Sequence, residues 1–221
     1  MVSVSIYRHY VKKEELIDTK LQRNFNMKKA FSSLFFVVIA ITGFAQVTQD
    51  TSRHLAFKGV PIDGTLDEYV SKMKQKGFTY IKTQDDIAML NGDFASYKNC
   101  IVGVATIKGK DLVSKITVIF PVQESWSLLS SNYFNLKELL TEKYGQPSES
   151  VEKFSTYEPK DDGSKMTQVH LDACKYITTY ETEKGSIQLL IKGDLSSAYV
   201  VLSYFDKINS DIIRANAKDD L

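Results

Sequence analysis

The sequence predicts an α+β fold in which a helix leads a set of antiparallel strands, in an order that suggests an internal duplication. Three observations carry this reading. A capped helical segment, Thr65 to Gly77, precedes strand-like periodicity that runs to Phe120. A second helical segment, stopped by Gly145 and Pro147, precedes another such run to Asp206. The strand-like runs are short and separated by turn residues.

The elements follow in order. Residues 46–53 are polar and read as a tether. In "HLAFKGVPIDG", Leu55 and Phe57 alternate with polar or small neighbours before Pro61 and Gly64, a short strand and a turn. In "TLDEYVSKMKQKG", Thr65 and Glu68 have the S/T-x-x-E spacing of a capping box, which satisfies free backbone donors from both directions. Leu66, Tyr69, Val70 and Met73 fall on one helical face, and Gly77 can take the left-handed conformation just past its end.

"GFTYIKT" and "IAMLNGDFASY" read as short strands. "NCIVGVATI" is apolar on both faces, as a covered central strand requires, and "DLVSKITVIF" follows a turn. In "SWSLLSSNYFNLKELLTEKYGQP", Leu129, Tyr133, Leu136 and Leu140 share a helical face, with Trp126 as a core anchor. Strands resume with "SVEKFSTY", "TQVHLDACKYITTYET", "GSIQLLIK" and "SAYVVLSYFD". The reading is one domain over 54–210, with possible repeats at 54–122 and 123–210. Residues 211–221 read as a tail with room for a terminal helical turn. "YKNCIVGVAT" and "LDACKYITTY" take equivalent places in the two units, each leading a long strand.

Residues 27–45 have the layout of an export signal. Lys28 and Lys29 supply the positive charge, and the fourteen residues Phe31–Phe44 are apolar except for Ser32, Ser33 and Thr42. Gly43 and Ala45 then form a small-residue cleavage site before Gln46. A transmembrane anchor needs about 20 apolar residues, and this run is shorter. The expectation is a periplasmic or secreted protein. Translation is expected to begin at Met27, leaving residues 1–26 as a non-translated or disordered extension.

Residues 1–45 hold seven of the 28 Lys/Arg and three of the 27 Asp/Glu, so the remaining 176 residues carry 21 and 24, a net charge of −3. That length suits one ordinary domain. Its only arginines are Arg53 and Arg214, and its basic residues do not cluster as a nucleic-acid-binding face would. Two cysteines remain, Cys100 and Cys174. A bridge between them would close a loop of about 75 residues, worth roughly 4.5 kcal/mol in loop-closure entropy. Two separate buried thiols are the alternative, because free cysteine packs as a small hydrophobe. With only His54 and His170 beside them, no metal site and no cofactor is expected.

"LAFKGVPIDGTLDEYVSKMKQKGFTYI", "GDFASYKNC" and "LTEKYGQP" resemble a set of exported proteins from gut Bacteroidetes, over most of the chain after the export segment. That resemblance implies a compartment and no established activity. More loosely, the helix–sheet order with "KYGQP" closing a helix is similar to β-lactamase-inhibitor-protein-like tandem repeats. It implies a concave sheet that binds a protein partner.

No nucleophile elbow, H-E-x-x-H or phosphate-cradling loop occurs in the sequence. His170 reads as a structural residue in the alternating stretch "TQVHLDA". The acidic pairs Asp85–Asp86 and Asp161–Asp162 read as turns, without the further ligands a calcium loop uses. Tyr176 and Tyr180 share a strand face with Cys174 and Thr178, and Tyr204 lies on the last strand. These three tyrosines are the candidate binding surface, since tyrosine combines large area with a polar tip. The functional expectation is a non-catalytic binding or accessory domain for a protein or envelope component. The alternative is a small secreted hydrolase with an Asp/His site, marked by His170 clustered with acidic side chains. N-terminal sequencing of the exported protein is expected to start at Gln46; a terminus of "MVSVSIY" would overturn the processing scheme.

Overall fold

The computed structural model describes residues 53–107, 109–155 and 157–219. The export segment, the cleavage site Ala45–Gln46 and nearly all of the tether lie outside the described residues. The fold is α+β, as the pattern predicts.

β1 (Ala56–Phe57) and β2 (Val60–Pro61) form a small ladder, turning through Lys58 and Gly59 at φ of 53° and 75°. α1 (Leu66–Gln75) starts at the capping box of Thr65 and Glu68, with both reciprocal bonds present. It buries Tyr69, Val70 and Met73, and Gly77 takes φ 92° behind it. The antiparallel strands β3 (Thr79–Gln84), β4 (Ile87–Phe94), β5 (Tyr97–Thr106) and β6 (Val113–Ile119) follow. α2 (Trp126–Tyr144) buries Trp126, Leu129, Tyr133, Leu136 and Leu140, the face its spacing predicts. β7 (Glu149–Phe154), α3 (Asp162–His170), β8 (Cys174–Thr182), β9 (Gly185–Gly193), β10 (Ala198–Asp206) and α4 (Lys207–Asp219) complete the order.

One eight-stranded sheet runs β3-β4-β5-β6-β10-β9-β8-β7. Each half has a helix followed by four antiparallel strands, the second with α3 between β7 and β8 and α4 after β10, and the two sets join through their last strands, β6 against β10. The helices α1 and α2 pack on the face that carries Val102, Val118, Leu202, Leu189 and Tyr180. On the opposite face Met89, Ile101, Ile119, Tyr199 and Val201 are buried too, so the central strands are apolar on both sides.

Three expectations are corrected. "TQVH" is helical, not strand. The side chain of Asp161 accepts the Ser164 N–H at 2.8 Å, the bond of an N-cap, and starts α3 within the acidic pair that reads as a turn, so that the helix runs on through "TQVH". The segment read as a tail is mostly α4, because Asp206 accepts the Asn209 N–H in the same way. The cysteines are not equivalent: Cys100 lies on the third strand of its set and Cys174 on the second strand of the other.

Two hairpins turn through paired non-glycine residues with positive φ, Asp85–Asp86 (51° and 59°) and Ala95–Ser96 (48° and 69°). Such primed turns match the strand twist but favour glycine at these angles. Replacing exposed Ser96 by glycine is expected to raise stability by about 1 kcal/mol, the cost of a left-handed residue with a Cβ. A urea midpoint that does not rise would refute it.

Candidate functional site

A buried polar cluster is built on Asp206, at the junction of β10 and α4. Its carboxylate is fully buried, and its Oδ1 accepts the Leu55 N–H at 2.7 Å. Its Oδ2 accepts the Asn209 N–H at 3.0 Å and lies 3.0 Å from His54 Nδ1. The other ring nitrogen of His54 is 3.5 Å from Asp63 Oδ2. Asn209 Nδ2 donates to the carbonyls of Ile62 and Val113, at 3.0 and 2.9 Å. A histidine between two carboxylates has the elements of a proton relay. Here, however, both oxygens of the inner carboxylate are engaged by backbone donors. The cluster ties the first ladder, β6, β10 and α4 together. Sequence reading missed it because His54 and Asp206 are 152 residues apart, with no motif around either.

The acidic pair of the second half also serves helix ends. Asp162 Oδ2 accepts the Trp126 N–H at 2.9 Å, and its Oδ1 accepts the Ser127 N–H at 2.8 Å, so a residue of α3 caps α2. The Ser127 hydroxyl, with these amides, holds the Asp162 carboxyl below its ordinary range. The Ser164 amide does the same for Asp161. Asp85 and Asp86 form the β3–β4 turn. His170 Nδ1 bonds the backbone carbonyl of Asp194 at 2.6 Å.

The tyrosines chosen as a binding surface are core residues. Tyr176, Tyr180 and Tyr204 are 8%, 1% and 4% exposed. Tyr176 and Tyr180 share a face as predicted, and that face, which also carries Tyr204, lies against the helices. Tyr176 packs on Trp126, Tyr133 and Phe154 with ring centroids 5.0 to 5.9 Å apart, and burial pushes its phenol up to about 12. Tyr180 donates to the Lys137 carbonyl at 2.9 Å, and Tyr204 meets Phe57 edge-on at 5.4 Å. A polar partner on α2 lets the Tyr180 ring be buried whole.

Cys100 and Cys174 are free thiols, not a disulfide. They sit on β5 and β8, four strand steps apart in the sheet. At about 4.8 Å per step this far exceeds the roughly 7 Å between α-carbons that a bridge allows.

Large hydrophobic residues are exposed at several places, among them Leu128, Phe134 and Leu139 on α2, but the most exposed flank α3 or lie in the turn bonded to it. Leu195, Tyr157 and Leu171 are the most exposed large hydrophobic residues described, at 89%, 64% and 63%. Leu171 directly follows α3, and Leu195 lies in the β9–β10 turn, which the His170–Asp194 bond ties to the end of α3. Tyr157 adjoins Glu158, whose carboxylate accepts from Lys165 Nζ on α3 at 2.8 Å. A leucine inside the turn sequence "GDLSSA" is the signal that marks this corner.

No family model matches the chain, and neither the curated proteins nor the solved structures contain a match to it.

Burial raises the Cys100 thiol to about 11 and the Cys174 thiol to about 12, so both stay protonated near neutrality. Alkylation at pH 8 is therefore expected to be slow in the native protein. Two thiols should titrate on unfolding without reductant; a count of zero would restore the disulfide.

Proposed function

We propose that the chain is an exported, non-catalytic domain that binds a protein partner through the corner around α3. The observation that carries this reading is that the three most exposed large hydrophobic residues described are Leu195, Tyr157 and Leu171, of which Tyr157 and Leu171 flank α3, a helix with no counterpart between β3 and β4. Apolar side chains grouped in this way mark interaction sites more often than the same residues scattered singly. The corner is also held in place: Asp162 fastens α3 to the start of α2, and His170 fastens its other end to the β9–β10 turn. The layout of residues 27–45 supports export to the periplasm or beyond.

A photo-crosslinking residue placed at Leu171 or Leu195 tests the reading in intact cells. The expected outcome is a discrete protein adduct at both positions and none at Glu138, an exposed residue of α2. Equal adducts at all three positions, or only lipid and glycan adducts at the corner, would overturn it.

A further inference from the structure

We infer that the outer edge of β7 is a self-complementary pairing site, through which two copies of the chain join their sheets in an antiparallel, two-fold dimer. β7 is a terminal strand of the eight-stranded sheet. Ser155 N donates to Ala173 O at 2.7 Å, one pair beyond Phe154↔Cys174 in the β7–β8 ladder. In an antiparallel ladder the residues that bond one neighbour alternate with those that bond the other. The odd residues of β7 thus face β8, and the even residues Ser150 and Glu152 turn their amides and carbonyls outward. A terminal strand of this kind is a template for another strand.

Register follows from the side chains. Opposed residues in an antiparallel pair lie on the same face of the sheet, so a two-fold arrangement of β7 on itself must centre on one residue. Centred on Glu152, it opposes two like charges. Centred on Ser150, it sets Glu149 against Val151 and leaves Lys153 without a strand partner. Centred on Val151, it sets Glu149 opposite Lys153 of the second copy, twice, on either side of the two valines. Ser150 and Glu152 then stand opposite each other and exchange backbone hydrogen bonds. The Glu149–Lys153 pairs fall at the non-hydrogen-bonded positions, where side chains approach most closely. Glu149 and Lys153 are both exposed. The opposite edge, β3, has no such symmetry: its ladder shifts register between Tyr80 and Lys82, an irregularity that blunts an edge.

A six-residue edge buries little area, so the dimer is weak and concentration-dependent. The test is sedimentation velocity on the exported protein over a concentration series. The wild type is expected to shift from monomer to dimer as concentration rises. Glu149→Lys and Lys153→Glu should each remain monomeric, because each opposes like charges. The double variant should dimerise again. A mixture of the two single variants should form a mixed dimer, since every opposed pair across it then has opposite charge. Single variants that dimerise as the wild type does, or a wild type that stays monomeric throughout, would overturn the inference. Circular dichroism on each variant separates lost pairing from lost folding. The result is independent of the α3 corner, whose crosslinks the charge variants leave in place.

Discussion

The pairing of β6 with β10 is the constraint on which the rest of the structure depends. It is where the two sets of strands meet: Ile116 stands opposite Tyr204, Val118 opposite Leu202 and Ile119 opposite Val201. The seam continues past the strands, with Phe120 N bonded to Val200 O and Gln123 N to Ala198 O. Without it, each half is a four-stranded sheet with an apolar strand as its open edge. Such an edge, buried on both faces here, would expose its backbone and its side chains together. Joining the two most apolar edges leaves the more polar β3 and β7 as the ends of the sheet.

Asp206 and Asn209 secure that seam from one end. A buried carboxylate is tolerated only where donors replace its lost hydration. The Leu55 and Asn209 amides and the His54 ring surround Asp206, while Asn209 itself joins carbonyls of the first ladder and of β6. Strand end, helix start and N-terminal ladder are thus fixed by two side chains. Removing either would leave backbone groups unpaired in a buried place, which costs more than the bond itself contributes. The histidine–carboxylate arrangement serves this structural role.

Features set by short-range chemistry were legible in the sequence. α1 followed from Thr65 and Glu68, the buried face of α2 from its leucine and tyrosine spacing, and the duplicated order from the change of period. Long-range features were not legible. The rings of Tyr176 and Tyr180 alternate with polar residues as an exposed surface would, and only α2 makes them core. Tyr180 finds its hydrogen-bond partner 43 residues away. α3 was hidden because "TQVH" alternates like a strand, and the helix depends on a cap, Asp161, that composition marks as a turn. Once α3 was taken for strand, the cysteines seemed equivalent, although the sheet sets them four strands apart.

The departure from symmetry is informative. In the first half, β3 and β4 are joined by a two-residue turn, Asp85–Asp86; in the second, β7 and β8 are joined by residues 155–173. A long insertion into a hairpin costs little in loop entropy, so its survival needs no stabilising role. Yet this one is fastened at both ends. Asp162 caps another helix, His170 bonds another turn, and a side-chain Cβ at Gly193 would meet the Val169 carbonyl at 2.6 Å. The insertion is fastened to the body of the domain, and its exposed large hydrophobic side chains are Tyr157 and Leu171. Fastening of that kind lowers the ordering cost of association. The segment turns Met166 and Val169 into the core, yet leaves Leu171 and Tyr157 exposed at its ends, beyond what filling a gap requires.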